Sequence, residues 1–291
     1  MYVPSRRYVD LHTHSSASDG TDSPATLVHK AVDMGLAALA LTDHDTSSGL
    51  NEAQKTAHKL GLEFIRGCEL TSNGPYIPLH FLGFWLPEQD HGLTSLLNAQ
   101  AERRRERNSH MLRKLGELGI TITEQELERA GSSSATGRPH MARILFERGL
   151  VGSVGEAFQR YLGSHAPAYV RMEVPEPAQI VAALKATGAT VALAHPMQIR
   201  CPGEWLSVFL RDMKDQGLDA LEVYHADHSP AQVRQLVDMA QRLDLALVGG
   251  SDYHGKIKPG LLLGTGWGGL RVPLFVLEKL KELRRAQGLP V

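Results

Sequence analysis

Short apolar runs alternating with helix-like segments constrain this chain more than any other feature. Tyr8–Leu11, Leu36–Leu41, Leu62–Ile65, Ile77–Phe84, Thr190–Ala194, Ala220–Tyr224 and Ala246–Gly249 each have the length and character of a buried strand. Most precede a helix-like stretch: Pro24–Met34 with Ser23 as N-cap, Ser47–Leu60, Pro177–Thr187, Glu204–Gln216 and Pro230–Leu243, with Leu274–Gln287 closing the chain. Strands that alternate with helices predict parallel βα units, whose strands are buried on both faces and read as continuous apolar runs. About seven strands predict an α/β fold. A barrel related to the eight-fold βα barrel fits better than an open doubly wound sheet, because polar chemistry falls at the C-terminal ends of so many strands.

The alternation breaks near Gly92. Leu93–Leu118, Thr123–Ala130, His140–Arg148 and Ser153–Leu162 are helix-like, with no strand among them. Residues 1–92 and 169–291 are therefore read as the barrel, and 93–168 as a helical insertion that contributes to substrate binding.

With 291 residues, 42% hydrophobic, the chain suits one large domain or a domain carrying an insertion. A formal net charge of -1 offers no global attraction to nucleic acid or membrane, so an anionic substrate must be held by local cations or metals. Two cysteines, Cys68 and Cys201, are too few for a disulfide framework. The N-terminus, Met1-Tyr2-Val3-Pro4-Ser5-Arg6-Arg7, is basic but lacks the apolar core of a secretion signal, and no long apolar span follows. These features predict a reducing cytoplasm, no membrane partner and no evident protein partner. The 14 histidines stand out against this background.

Their placement is informative. His12-Thr13-His14 directly follows the first strand, where residues i and i+2 share a face and two imidazoles reach one ion. Ser18-Asp19-Gly20 comes next, and Thr42-Asp43-His44-Asp45 follows the second strand; alone, the latter also reads as a helix cap with a solvated histidine. Glu69 ends a third apolar strand, where a carboxylate is costly unless it meets a cation or bends out to solvent. His80 lies on the next strand, a position more often filled by a satisfied core histidine. Ala194-His195-Pro196 and Ser251-Asp252-Tyr253-His254 end two later strands, the second with Gly249-Gly250 for close backbone approach.

Together, His12-x-His14, Asp19, Asp43-His44-Asp45, Glu69, His195 and Asp252-x-His254 resemble the PHP (polymerase and histidinol phosphatase) family, in that family's order and over most of the chain outside the insertion. The resemblance implies a distorted (β/α)7 barrel with two or three divalent metals, manganese, iron or zinc, at the strand C-termini. It implies that His12, His14, Glu69 and Asp252 hold one metal, that Glu69, His80 and His195 hold a second, and that Asp19, His44 and His254 hold a third. Mixed imidazole and carboxylate ligands suit all three metals about equally. Closely spaced metals activate water for attack and clamp a phosphoryl group. With no Ser-His-Asp arrangement or P-loop in the sequence, a metal-activated hydroxide is the expected nucleophile.

Within the insertion, Gly137-Arg138-Pro139-His140 opens a helix whose free N–H groups attract anions, so that Arg138 and His140 either hold a second phosphate or mark an ordinary helix start. This motif, Phe158-x-x-Tyr161-Leu162-Gly163 and Pro167-Ala168-Tyr169-Val170 resemble the PHP subgroup that hydrolyses nucleoside 3′,5′-bisphosphates and trims short RNA from the 5′ end. Arg138 and His225, in Glu222-x-Tyr224-His225, are the expected catalytic contacts, and Arg138, His140 and His225 the substrate contacts. After His195-Pro196, Met197-Gln198-Ile199 stands where relatives often carry a basic or aromatic residue, which leaves the substrate contacts of this loop open. The run Arg103–Arg107 reads as a solvated helix face, and His29, His58, His91, His110, His165 and His228 as surface residues. The substrate expected is a small phosphorylated nucleotide or short RNA. A histidinol-phosphate-type phosphatase and a non-catalytic PHP binding module are the rival readings.

Overall fold

The computed structural model describes residues 7–131 and 135–291; the basic N-terminal stretch lies, up to Arg6, outside the described residues. Its eight-stranded sheet comprises β1 (Tyr8–Asp10), β2 (Ala38–Leu41), β3 (Glu63–Ser72), β4 (Leu79–Phe84), β5 (Thr190–Leu193), β6 (Ala220–His225), β7 (Ala246–Gly250) and β8 (Val272–Pro273), in the order β7-β6-β5-β4-β3-β2-β1-β8. The sheet curls until its ends meet. Leu11 N–H donates to Gly249 O at 3.2 Å, Asp252 N–H to His12 O at 2.9 Å and His14 N–H to Tyr253 O at 2.9 Å, nearly closing a barrel between β1 and β7.

Two features depart from the sequence expectation. β4 runs antiparallel to both β3 and β5, pairing Thr71 with His80 and Phe81 with Leu193. Residues 73–78 are too few for the crossover of a dozen or more residues that a parallel pair needs, so the chain turns back as a hairpin. The reversal brings the N-terminal end of β4, and with it His80, to the rim where the parallel strands end. β8, two residues long and antiparallel to β1, carries too little pattern to be read as a strand.

Helices α1 (Pro24–Asp33), α2 (Leu50–Leu60), α8 (Gly203–Asp215), α9 (Pro230–Arg242) and α10 (Leu274–Ala286) follow strands as expected, and α7 (Pro177–Ala186) leads into β5. Two of them start at hydroxyl caps: the Ser23 hydroxyl accepts from Thr26 N–H at 3.1 Å, and Ser229 forms a capping box with Gln232. Strand alternation then sorts the core. Leu39 and Leu41 point outward against Leu27, Val28 and Leu50. Ala38 and Ala40 point inward with Val9, Ala192 and Ala220, so small residues fill the narrow interior. Both faces are buried, which is why the strands read as unbroken apolar runs.

Between β4 and α7 the chain is helical: α3 (His91–Glu117), α4 (Glu124–Ala130), α5 (Arg138–Glu147), α6 (Val154–Ala157) and a π-helical turn, Phe158–Leu162. α3 starts ahead of the expected Leu93 because the Asp90 carboxylate caps Leu93 N–H at 2.6 Å. Met111, Leu115, Leu127, Met141, Leu145 and Leu162 form a separate hydrophobic core for these helices. Among the described residues, no helix is long and apolar enough to cross a membrane.

The β1/β7 seam is tight. A Cβ at Gly250 would lie 2.3 Å from His12 N and 2.4 Å from His12 Cβ. Gly250→Ala is therefore expected to cost about 1–3 kcal/mol, the usual range for overpacking; a urea midpoint matching that of the unaltered chain would contradict this.

Candidate metal centre

The strand ends converge on one buried carboxylate. Glu69, fully buried, is flanked by β2 through Glu69 N–H to Asp43 O (3.1 Å) and Asp45 N–H to Glu69 O (2.9 Å). Its Oε2 lies 3.2 Å from each of His12 Nε2, His14 Nε2 and His44 Nδ1. Its Oε1 lies 2.9 Å from His80 Nδ1 and 3.0 Å from His195 Nε2. One carboxylate thus divides two groups of imidazoles between its two oxygens. Asp252 Oδ1 approaches His14 Nε2 at 3.2 Å and His12 Nε2 at 3.6 Å. On the far side, Asp19 Oδ1 lies 3.2 Å from His254 Nε2, and Asp19 Oδ2 lies 4.0 Å from His44 Nε2.

The structure brings every expected metal ligand into this cluster. Donor atoms that converge closely enough to share an ion come from His12, His14 and Asp252; from His12, Glu69 and His195; from His44, Glu69 and His80; and from His14, Asp19, His44 and His254. This partly redraws the expected partition, because His44 stands beside Glu69 as well as Asp19. His14 provides the test of fit. Both its ring nitrogens are buried without a hydrogen-bond partner, although Nε2 stands 3.2 Å from two carboxylate oxygens. Ligand atoms about 2.0–2.2 Å from a shared ion, at angles near 100°, are spaced by about that much. The donor set therefore fits divalent cations. Burial opposes ionisation of Glu69, but the surrounding imidazoles of His44, His12 and His80 outweigh it and hold its pKa well below the ordinary value.

A second layer of carboxylates fixes the first. Glu222 Oε1 meets His12 Nδ1 at 2.9 Å and its Oε2 accepts from His195 N–H at 2.6 Å. Burial resists its charge, yet His12 overcomes this and lowers its pKa to about 2. Asp43 points away from the cluster and accepts from Ser15 N–H (2.7 Å), Ser15 Oγ (2.7 Å) and Ser18 Oγ (2.5 Å), which shapes the loop that presents Asp19. Asp10, read in the sequence only as part of an apolar run, accepts from Ser251 N–H at 2.8 Å and Gly264 N–H at 2.7 Å, joining β1 to the segment carrying Asp252. A carboxylate inside an apolar strand was its signal. Asp45, His195 and Asp252 adopt positive φ angles of 49°, 27° and 53°, backbone strain of the kind that clusters at functional sites.

His225 lies beside the cluster. Its Nδ1 accepts from Asp227 N–H at 3.1 Å, leaving Nε2 to carry the ring proton, 3.5 Å from Asp252 Oδ2. Lys258, missed in the sequence, donates to the same Asp252 oxygen at 2.6 Å. His228 is a correction: it is buried, with Nδ1 2.9 Å from Val223 O and its ring 5.1 Å from that of His225. His29, His58, His91, His110 and His165 are exposed, as expected.

The arginine run is a second correction. Arg103 and Arg105 are exposed, but Arg104 and Arg107, three apart on α3, turn inward. Arg104 pairs with Asp45, linking the helical segment to the end of β2. Arg107 is 7% exposed, its Nε without a hydrogen-bond partner. Burial, with Arg104 and Arg138 nearby, lowers its pKa to about 9. A Cβ at Gly137 would lie 2.8 Å from Arg107 Nη2, so the start of α5 admits that guanidinium closely. Arg138 itself stands 5.5 Å from the Tyr169 ring and 5.9 Å from that of Phe158. His140 is buried, its Nδ1 accepting from Gly137 N–H at 3.2 Å. Burial lowers the His140 pKa to about 4 against the pull of Asp19, and Arg143 and Arg104 add to the lowering. Arg104, held by Asp45, thus stands with Arg107 and Arg138 beside the ligand cluster.

Known proteins resemble this chain. The PHP domain sequence profile matches residues 10–121. The chain is 34% identical to a 5'-3' exoribonuclease of Haemophilus influenzae over 84% of this chain and 89% of that protein. It is 28% identical to a 3',5'-nucleoside bisphosphate phosphatase of Chromobacterium violaceum, over 88% and 90%. A solved structure from Bifidobacterium adolescentis, assigned as a metal-dependent phosphoesterase, superposes with a TM-score of 0.83 at 30% identity, covering 95% of this chain and 96% of that one.

Two outcomes follow from the charges. Glu222→Gln is expected to lower divalent-metal affinity about 10–100-fold, the usual effect of losing a partner that orients a ligand; unchanged affinity in a chelator competition would refute the role. His140 binds a proton near pH 4 folded but near 6.5 unfolded, so the unfolded chain takes it up first. Its stability contribution is full above pH 6.5 and is lost as pH falls towards 4, at up to about 1.4 kcal/mol per pH unit. Urea unfolding across this window should show a shallower pH dependence for His140→Gln.

Proposed function

This chain belongs to the PHP family of metal-dependent phosphoesterases, and from that premise we propose that it hydrolyses the 3′-phosphate of nucleoside 3′,5′-bisphosphates and releases nucleotides from the 5′ end of short RNA. The observation that carries this reading is the group at the start of α5 beside the ligand cluster: buried Arg107 and half-buried Arg138 supply charge, and buried His140 a neutral hydrogen-bonding ring, where a substrate with a second phosphate needs them. One geometry serves both substrates. In each, water adds to phosphorus, the bond from phosphorus to a nucleotide's 3′ oxygen breaks, and that oxygen takes a proton, while the same nucleotide's 5′-phosphate anchors the molecule.

His12, His14, Glu69 and Asp252 would hold one divalent ion, Glu69, His80 and His195 a second, and Asp19, His44 and His254 a third, with manganese, iron and zinc all suited to these donors. Such ions, when bound, lower the pKa of water and neutralise charge on the phosphoryl group. The remaining work belongs to the chain. Arg107 and Arg138 bind the 5′-phosphate, the rings of Tyr169 and Phe158 keeping Arg138 in place. His140, neutral near pH 7, adds a hydrogen bond rather than a charge. His225 keeps its ring hydrogen on Nε2, towards Asp252, and offers a hydrogen bond from it to the phosphate under attack, at a phosphoryl oxygen or at the leaving 3′ oxygen, whose proton comes from the added water. Residues 93–168 serve as the substrate-binding insertion, since they supply the second phosphate site.

The test is turnover of adenosine 3′,5′-bisphosphate with Mn2+. Asp252→Asn should abolish it. Arg138→Met should lower kcat/KM on the bisphosphate about ten- to hundredfold, the worth of a hydrogen bond to a charged group, while leaving 3′-AMP hydrolysis nearly unchanged. No turnover with any divalent metal, or equal losses on both substrates, would overturn the reading.

A further inference from the structure

We propose that Trp267 is a stacking platform for the nucleobase that follows the scissile phosphate, so that the site binds an oligonucleotide beyond its first nucleotide. This deepens the nucleotide reading above and rests on it. Trp267 lies between β7 and β8, in a turn held by Leu262 N–H to Gly266 O and Gly266 N–H to Leu262 O, both 2.8 Å. Gly266, at φ +55°, seats that turn on Ala226, the residue after His225; a Cβ there would lie 2.9 Å from the Ala226 Cβ.

The indole is 55% exposed yet fixed. Its Nε1–H donates to Asp227 Oδ1 at 2.8 Å, and Asp227 Oδ2 accepts from Gln198 Nε2 at 3.2 Å. Three rim loops therefore meet at Asp227, whose N–H also holds His225 Nδ1 at 3.1 Å. Gln198 belongs to the loop whose substrate contacts the sequence left open; here it serves as a brace for an aromatic supplied by another loop.

Exposing an indole forfeits apolar burial, and orienting it by hydrogen bond while about half of the residue stays exposed suits stacking against a planar ring. Trp205, at the start of α8, is different, because Phe209 stacks on it at 4.9 Å and Tyr76 meets it edge-on at 5.3 Å. Cations stand in the same loops as Trp267 and Gln198: Lys256 and Arg200 are exposed, and Lys258 is on Asp252. They complement the phosphates of a continuing chain.

Position supplies the last argument. The arginines stand on the Asp19 and Asp45 side of the cluster, whereas His225 and Trp267 stand beyond Asp252. A 5′-phosphate among the arginines and a scissile phosphate at the cluster leave the following nucleoside on the His225 side. A nucleoside bisphosphate has nothing there.

Binding is measured on metal-loaded protein with two ligands that resist hydrolysis, a phosphorothioate adenosine trinucleotide carrying a 5′-phosphate and an adenosine 3′,5′-bisphosphate whose bridging 3′ oxygen is replaced by CH2. The trinucleotide is expected to quench tryptophan fluorescence in the unaltered chain. Trp267→Ala should raise its Kd about five- to hundredfold, and Trp267→Phe should restore most of the affinity without the quench. The bisphosphate Kd should move less than about twofold across these variants. An unchanged trinucleotide Kd in Trp267→Ala, or equal losses for both ligands, would overturn the proposal. Failure of the unaltered chain to bind either ligand would instead overturn the nucleotide reading on which it rests.

Discussion

Glu69 is the group on which the rest of the structure depends. A fully buried carboxylate is costly unless opposite charge surrounds it, and this one meets imidazoles from four other strand ends. That demand dictates the barrel. Only a closed sheet brings the end of β1 back beside β7 while β3 stands between β2 and β4. The reversed β4 is part of the same solution, because its N-terminal end delivers His80 to the oxygen of Glu69 that faces His195.

The carboxylates around this centre divide into two kinds. Glu69, Asp252 and Asp19 face the imidazoles. Asp10, Asp43 and Asp45 accept from the backbone N–H groups and hydroxyls of the loops around them, and Glu222 stands behind His12, on its Nδ1, and accepts from His195 N–H. This second layer carries tension between parts: Glu222 ties β6 to both His12 and His195, and Asp45 ties β2 to Thr71 and, through Arg104, to α3. Arg104 is therefore a link between the helical segment and the barrel as well as a cation. One ion pair thus joins the arginines of α3 to the strand end that carries His44.

The barrel and its candidate ligands were largely legible in the sequence because each signal was local. An apolar run of strand length followed by His-x-His or Asp-x-His states both the strand and the face on which its donors lie. The helix start at Ser23 was legible for the same reason. The failures were non-local. Arg104 and Arg107 look like any charged helix face until the helix has something to pack against, and His228 turns inward only because Val223 O is there to receive it. Lys258 lies on an irregular segment whose course no periodicity reports.

By itself, the sequence determined which residues could bind metal and, His80 on the reversed β4 apart, which strand end would present them, since side-chain direction along a strand depends only on the backbone's two-residue repeat. Tertiary structure decided the partnerships: which carboxylates meet the imidazoles and which brace the loops, how Glu69 divides its two oxygens, and which arginines leave solvent. These choices depend on distances between atoms far apart in the chain. They follow from burial, where a charge must find its partner within a few ångströms or not be buried at all.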